Sequence, residues 1–457
     1  MSVSLLYVAF CAANVMLLKE VNMEVAEPYM DEPFHVPQAQ AYCRGEWTTW
    51  DPKITTPPGL YLLSQVTYRL FVFKCNLSVL RLTPLLCLLA LPLAITRLVA
   101  YHKRERPPRD ILSPSADSVV LALFPIAWFF GFMYYTDVPS LLFVVATVVA
   151  ALQERHALSA LLGLVSCTFR QTNIIWLLYA FAYSRVTYLR FRRSPPNSKE
   201  LPKLHDPPAL LASVSDIPRI ISSVFGVIPD ILAQAAPYTL VFFLFGGFVF
   251  WNGGIVLGDK SNHVPALHVP QVYYFVGFAT LFGWPALISG PGAVALAKGV
   301  RSRMFGSPSR TAISIVLSTA IGVTVHLFTI HHPFLLSDNR HYTFYVWRRV
   351  FLLHPVVPYL LAPAYLACAW TWFLRVGESQ TLLQTLVLPI CALPTLLLTP
   401  LLEPRYFLIP YILLRAQIAD VQMPMLALEG LWYAVINAAT MYVYLYCERE
   451  GVGRFMW

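Results

Sequence analysis

A chain of 457 residues that is 57% hydrophobic, 14% aromatic and only 12% charged, with a mean hydropathy of +0.59, cannot turn its surface to water. These values exclude a soluble globular protein and predict an integral membrane protein, with room for roughly a dozen helices of about 20 residues and none for a large soluble domain. The net charge of +9 does not point to nucleic acid, because the basic residues fall between apolar runs, where the positive-inside bias accounts for them.

Residues 2–18 are apolar without a basic leader, so a retained first helix is expected rather than a cleaved signal peptide. Residues 19–74 are too polar and too rich in proline to span, and must form a loop outside the hydrocarbon. Within it, residues 37–44 predict one short interfacial helix. Thr55, Thr56, Pro57 and Pro58 predict the start of another, with threonine as cap and proline at the first helical positions. Asp31 and Glu32 interrupt the apolar chain here, and Pro33 after them predicts irregular backbone at Glu32. Residues 77–99 are expected to cross and end in the basic cluster 101–110, which predicts a cytosolic side there and a lumenal 19–74 loop. Cys43 and Cys75 lie outside the apolar runs and can pair if that loop faces an oxidising lumen. No CxxC or Cys/His spacing suggests a metal, and His331 and His332 read as interfacial residues.

Residues 119–134 and 138–153 predict a hairpin turning at residues 135–137. Two short apolar pieces then flank Phe-Arg-Gln-Thr-Asn at 169–173, a break of the kind that lines a cavity and carries Arg170. Residues 190–220 read as a cytosolic loop, basic and rich in proline at their start. Further apolar runs to residue 446 bring the expected total to about thirteen crossings, in a single polytopic membrane domain covering residues 1–457.

Four polar patches fall on the predicted lumenal side: residues 30–32, 258–263, 337–342 and 403–406. They mix carboxylates with Lys, Arg and His. A carboxylate can take a proton from a hydroxyl while cations hold a departing phosphate, so the patches predict a group-transfer site. One of Asp31 and Glu32 would be the base. Arg340, His341, Arg405, Lys260 and His263 are the candidates for the phosphate, and Tyr29, His35, Gln38, Asp259, Asn262, Asp338, Asn339, Tyr406 and Arg170 for the rest of the substrate.

The stretches YMDEPFHVPQAQAYCRGEW, WDPKITTPPGLYL, FRQTNIIW, GDKSNH, HPFLLSDNRHYTFYVWRR and EPRYFLIPY together resemble the eukaryotic dolichyl-phosphate-glucose-dependent alpha-1,2-glucosyltransferases. The resemblance implies an all-α polytopic fold of the C-type glycosyltransferases, with about 12–14 transmembrane helices and short interfacial helices in the first lumenal loop. It also implies a multi-pass protein of the endoplasmic reticulum membrane, with its active site facing the lumen. The implied reaction moves glucose, with inversion, from dolichyl-phosphate-glucose to the 2-hydroxyl of the terminal glucose of diglucosylated dolichyl-diphosphate oligosaccharide, Glc2Man9GlcNAc2. No cofactor or metal, no nucleic acid and no obligate protein partner is expected; membrane lipids are. The family's first-loop acid maps to Asp31, with Glu32 beside it, and Pro33 stands where an aliphatic residue would be expected. Two other readings are a related C-type transferase with a different acceptor and a polytopic transporter. The latter predicts ionisable residues at helix midpoints and an inverted repeat.

Overall fold

The computed structural model describes residues 4–72, 74–192, 202–260, 264–331 and 338–457. Among them the chain is all helix and loop, and β pairing is limited to isolated bridges. The elements that position the site begin with α1 (Leu5–Glu24), α2 (Glu32–Cys43), α3 (Gly59–Thr67), α4 (Leu77–Leu80) and α5 (Leu82–Lys103). There follow α6 (Ala116–Ala122), α7 (Pro125–Phe130), α8 (Asp137–Leu152), α9 (His156–Cys167), α10 (Asn173–Phe191), α11 (Asp216–Leu232) and α12 (Ala236–Asn252). The remainder comprises α13 (Pro270–Ile288), α14 (Ala293–Phe305), α15 (Pro308–Phe328), α16 (Tyr342–Val346), α17 (Val357–Leu360), α18 (Ala362–Gly377), α19 (Leu382–Leu397), α20 (Leu408–Arg415) and α21 (Met423–Tyr446).

The apolar runs counted as about thirteen crossings differ in how they fold, and fewer of them form single long helices. Six segments of the described chain are long and apolar enough to cross a membrane: Leu5–Glu24, Leu77–Lys103, Pro270–Ile288, Pro308–Phe328, Val357–Gly377 and Met423–Tyr446. The run at 119–134 is broken by Pro125 into α6 and α7, which are 7 and 6 residues long. With 16 residues, α8 reaches only about 24 Å at 1.5 Å per residue, short of a hydrocarbon core of about 30 Å. α11 and α12 meet at 87°. The expected loop at 190–220 therefore ends earlier, because residues 216–220 already belong to α11. Ile217, Ile221, Phe225 and Ile228 form an exposed apolar stripe along α11, as in a helix lying in a bilayer interface. On α12, Phe250 and Trp251 are 91% and 81% exposed, which water would not tolerate and lipid does.

Lipid removes most of the hydrophobic drive for helix association, so close packing and paired polar groups must hold the bundle. α9 and α10 approach so closely that a Cβ on Gly163 would lie 2.4 Å from a methyl of Leu177. Phe124, at the break before α7, stacks on Tyr411 of α20 with centroids 4.3 Å apart. The last two helices are tied by a fully buried bidentate pair, Arg415 to Glu429, at 2.8 and 2.6 Å.

The two short helices of the first loop are present. α2 starts at Glu32, five residues earlier than expected, and this overturns the expectation of irregular backbone there. Pro33 occupies the first turn of the helix, where its missing N–H costs nothing. A disulfide between Cys43 and Cys75 closes the loop. α3 is set against the break between α9 and α10: the Gly59 N–H donates to the Thr168 carbonyl at 2.8 Å, and a Cβ on Gly59 would lie 2.3 Å from the Thr168 hydroxyl.

Candidate active site

A cavity of about 180 Å³ opens where the first loop, the turn before α8, the segment before α16 and the segment before α20 converge. Asp31, Tyr135, Asp338, His341, Glu403 and Arg405 supply its polar lining, with Met456 and Trp457 on one side.

Asp31 stands just before α2, after Met30, whose left-handed backbone (φ 60°) turns the chain sharply. The Asp31 N–H donates to the Tyr135 hydroxyl at 2.9 Å. Its side chain is 44% exposed, with Oδ2 3.4 Å from Arg405 Nη1. The carboxylate is thus fixed at its root and open at its tip, as a proton acceptor for an incoming hydroxyl must be. Burial first, and the neighbouring Asp31 carboxylate next, push the Tyr135 phenol well above its ordinary value, so it remains protonated.

Glu32 is placed quite differently. It is fully buried and receives Arg81 Nε at 2.9 Å and Nη2 at 2.5 Å, the Tyr134 N–H at 2.8 Å and the Tyr29 N–H at 3.1 Å. Arg81, equally buried between α4 and α5, also donates to the Val25 carbonyl at 2.7 Å. The two oxygens of Glu32 take four hydrogen bonds, from Tyr29, Tyr134 and Arg81, and of the acid pair named as catalytic candidates it is Asp31 that lines the cavity.

Arg405 lies in a short 3-10 turn, Pro404–Phe407, ahead of α20. Nε donates to Glu403 at 2.8 Å, and the guanidinium sits 5.4 Å over each of the Phe130 and Tyr135 rings. Burial alone would weaken its charge, but Glu403, Asp137 and Asp31 more than offset this and hold Arg405 charged well above its ordinary range. Sequence reasoning passed over Asp137 as a turn residue. It is the first residue of α8 and almost fully buried, with Oδ1 2.6 Å from Arg170 and Oδ2 3.9 Å from Arg405. Asp137 Oδ2 accepts no hydrogen bond from the described residues. Arg170, in the break between α9 and α10 where a cavity wall was expected, packs 5.8 Å from the Tyr406 ring. The only sign of Asp137 in the sequence is an acid at the mouth of an apolar run.

In the segment before α16, Asp338 takes Arg340 in a bidentate pair at 2.8 Å for both contacts. Burial opposes it, yet the Arg340 hydrogen bonds hold the Asp338 carboxyl below its ordinary value. Arg340 is thereby occupied. His341 lines the cavity, with Nε2 3.5 Å from Asp338 and Nδ1 2.6 Å from the main-chain oxygen of Trp457. Asn339 shares the turn, half-buried.

The other expected site residues that the structure describes lie outside the cavity lining. Gln38 bridges the Thr49 carbonyl (2.7 Å) and the Asp51 N–H (2.9 Å) and does not line the cavity. His35 Nδ1 is 2.6 Å from the Tyr61 hydroxyl, and burial, ahead of its charged neighbours, lowers its basicity. The Tyr29 hydroxyl donates to the Arg454 carbonyl. Residues 258–260 dock on the first loop, where the Asp259 N–H donates to the Pro52 carbonyl at 2.7 Å. Lys260 donates to the Asn252 carbonyl and does not line the cavity. Asn262 and His263 lie outside the described residues.

A family model described as the DIE2/ALG10 family matches residues 25–416. A human Dol-P-Glc:Glc(2)Man(9)GlcNAc(2)-PP-Dol alpha-1,2-glucosyltransferase is 34% identical over 466 residues, covering 97% of this chain and 96% of that protein. Proteins of the same name from Arabidopsis thaliana (33% over 507 residues, 96% of each chain) and Drosophila melanogaster (35% over 452 residues, 96% of this chain and 94% of the relative) are also similar. No solved structure matches. The matched span holds Asp31, Asp137, Arg340, His341 and Arg405, and on its extent this chain belongs to the DIE2/ALG10 family.

Proposed function

We propose that this chain transfers glucose from dolichyl-phosphate-glucose to the diglucosylated Glc2Man9GlcNAc2 dolichyl-diphosphate acceptor, forming an alpha-1,2 bond. Its relatives are named for this reaction. The observation that carries the reading is the half-exposed Asp31 carboxylate sharing one cavity with the guanidinium of Arg405.

Asp31 accepts the proton of the terminal glucose 2-hydroxyl. The oxygen attacks the anomeric carbon of the donor, and the bond from that carbon to the phosphate oxygen breaks. The electron pair leaves on dolichyl phosphate. A β-linked donor giving an α product requires this single displacement, with base and leaving group on opposite faces of the sugar, as in inverting glycosidases. Phosphate departs without a strong acid if cations meet its charge. Arg405 is the first of these and His341 the second, while Asp137 and Glu403 hold Arg405 from behind. Arg340 contributes through the same loop.

A lumen-facing site in the endoplasmic reticulum membrane is part of the proposal. The disulfide supports it, since such bonds persist in oxidising compartments. So does the basic stretch that follows Lys103, at the opposite end of a candidate span from Arg81.

The test is purified enzyme in liposomes with synthetic dolichyl-phosphate-glucose and a panel of lipid-linked acceptors bearing zero, one or two glucoses. Only the diglucosylated acceptor should be extended, with release of dolichyl phosphate and an α-1,2 linkage in the product by NMR. Equal use of all acceptors would overturn the acceptor assignment, and a β-linked product would overturn the inversion.

A further inference from the structure

The segment that follows α21 runs back to the cavity, and it lies beyond residues 25–416, which the family model matches. Arg454 ties it down, donating to the carbonyls of Tyr444 at the end of α21 (3.1 Å) and of Glu24 at the end of α1 (2.8 Å). Gly453 makes the turn: its φ is +98°, and a Cβ there would lie 3.2 Å from the Tyr29 hydroxyl. From this turn the main chain reaches both halves of the site. The Arg454 carbonyl accepts from the Tyr29 hydroxyl, two residues before Asp31. The Met456 N–H donates to the Arg340 carbonyl at 2.8 Å in a parallel bridge with His341, and the main-chain oxygen of Trp457 meets His341 Nδ1 at 2.6 Å. The rings of Phe455 and Trp457 clamp Tyr342, the next residue, with centroids 4.4 and 4.6 Å away.

We infer that residues 453–457 are a positioning element of the active site, whose main chain sets the distance and orientation of His341 relative to Asp31. The inference rests on the proposal that His341 meets the donor phosphate. With Nδ1 donating to the Trp457 oxygen, Nε2 is the nitrogen left to the cavity, and it donates to a phosphate when the ring is an imidazolium. The contact aims Nε2 at the Asp338 side of the cavity. The Met456 side chain is buried beside the cavity, while the contacts to Arg340 and His341 are made by the main chain.

The experiment compares Met456→Pro, which removes the N–H donated to Arg340, with Met456→Leu, which keeps it. Reconstituted full-length enzyme is assayed for kcat and for KM toward dolichyl-phosphate-glucose. Both variants alter the Met456 side chain at the cavity wall, so the comparison is between them: kcat/KM of Met456→Pro should be about tenfold below that of Met456→Leu, the effect of one or two hydrogen bonds. Gly453→Ala, which strains the turn without touching the bridge, should fall in the same direction. Each substitution is also made on His341→Ala. If the segment acts through His341, Met456→Pro should cost less than about twofold there, because contacting residues are not additive. Wild-type kcat/KM in both Met456→Pro and Gly453→Ala, with His341→Ala impaired, overturns the positioning role alone. Full additivity in the double variant does the same. A silent His341→Ala overturns instead the reading of His341 as a phosphate contact, and with it this inference.

Discussion

Asp31 and Glu32 are adjacent acids with opposite surroundings, and neutralising each should give opposite phenotypes. Glu32 is fully buried and accepts hydrogen bonds from Arg81, Tyr134 and Tyr29. Glu32→Gln leaves the buried Arg81 charge uncompensated, a change that costs about 3–5 kcal/mol, or two to three and a half orders of magnitude in the unfolding equilibrium. Asp31 has a side chain 44% exposed and one contact to Arg405 at 3.4 Å, so Asp31→Asn should change stability by about 1 kcal/mol or less. Its turnover should instead fall by about 10²–10⁴, the usual contribution of a positioned base. Cys87, Cys167 and Cys391 are free and buried, so a thiol-reactive dye reports their exposure during a thermal ramp in detergent. The expected result is a clearly lower melting transition for Glu32→Gln with turnover surviving at low temperature, and a wild-type transition with lost turnover for Asp31→Asn. A Glu32→Gln enzyme that melts like wild type yet is inactive, or an active Asp31→Asn enzyme, would refute this division of roles.

Arg405→Lys should lower kcat/KM for the donor by about 10²-fold, because an ammonium cannot keep the contact that Nε and Nη2 make with Glu403 Oε2 and still present donors to a phosphate; unchanged steady-state kinetics would exclude Arg405 from phosphate binding. Replacing Cys43 and Cys75 together by serine opens a loop with a sequence separation of 32 and should cost about 3–4 kcal/mol of stability, read as a lower midpoint in the same dye assay. Burial holds the folded His35 imidazole below its ordinary value of 6.5, so the unfolded chain takes up a proton first. The contribution of His35 is therefore complete above about pH 6.5 and is lost as pH falls through that value toward the folded one. His35→Gln should flatten this slope, and a variant with an undiminished slope would place the titration elsewhere.

Much of the site could be read from the sequence because charge is scarce in this chain. An acid pair in a proline-rich loop, an arginine between Glu403 and Tyr406, and an Asp-Asn-Arg-His run stand out against an apolar background, and the cavity brings Asp31, Arg405, Asp338 and His341 together. What could not be read is pairing at a distance. The partner that separates Glu32 from Asp31 is Arg81, 49 positions away, and no local pattern marks it. Asp137 looks like a turn residue until Arg170 and Arg405 are seen to flank it. Hydropathy measures how apolar a run is, while a proline such as Pro125 decides whether the run forms one helix or two short ones. The hydrogen bonds that residues 453–457 make to Tyr29, Arg340 and His341 come from main-chain atoms, which side-chain reading does not register.

Arg81 sits within the candidate span Leu77–Lys103, close to its first residue. Because Glu32 is locked to it, the neighbouring Asp31 is held at a fixed altitude above one end of a transbilayer rod. Two lipid-borne substrates diffuse in a plane and present their sugars at heights set by their own phosphate linkages. On the proposed mechanism, the acceptor hydroxyl must come to that level to meet Asp31.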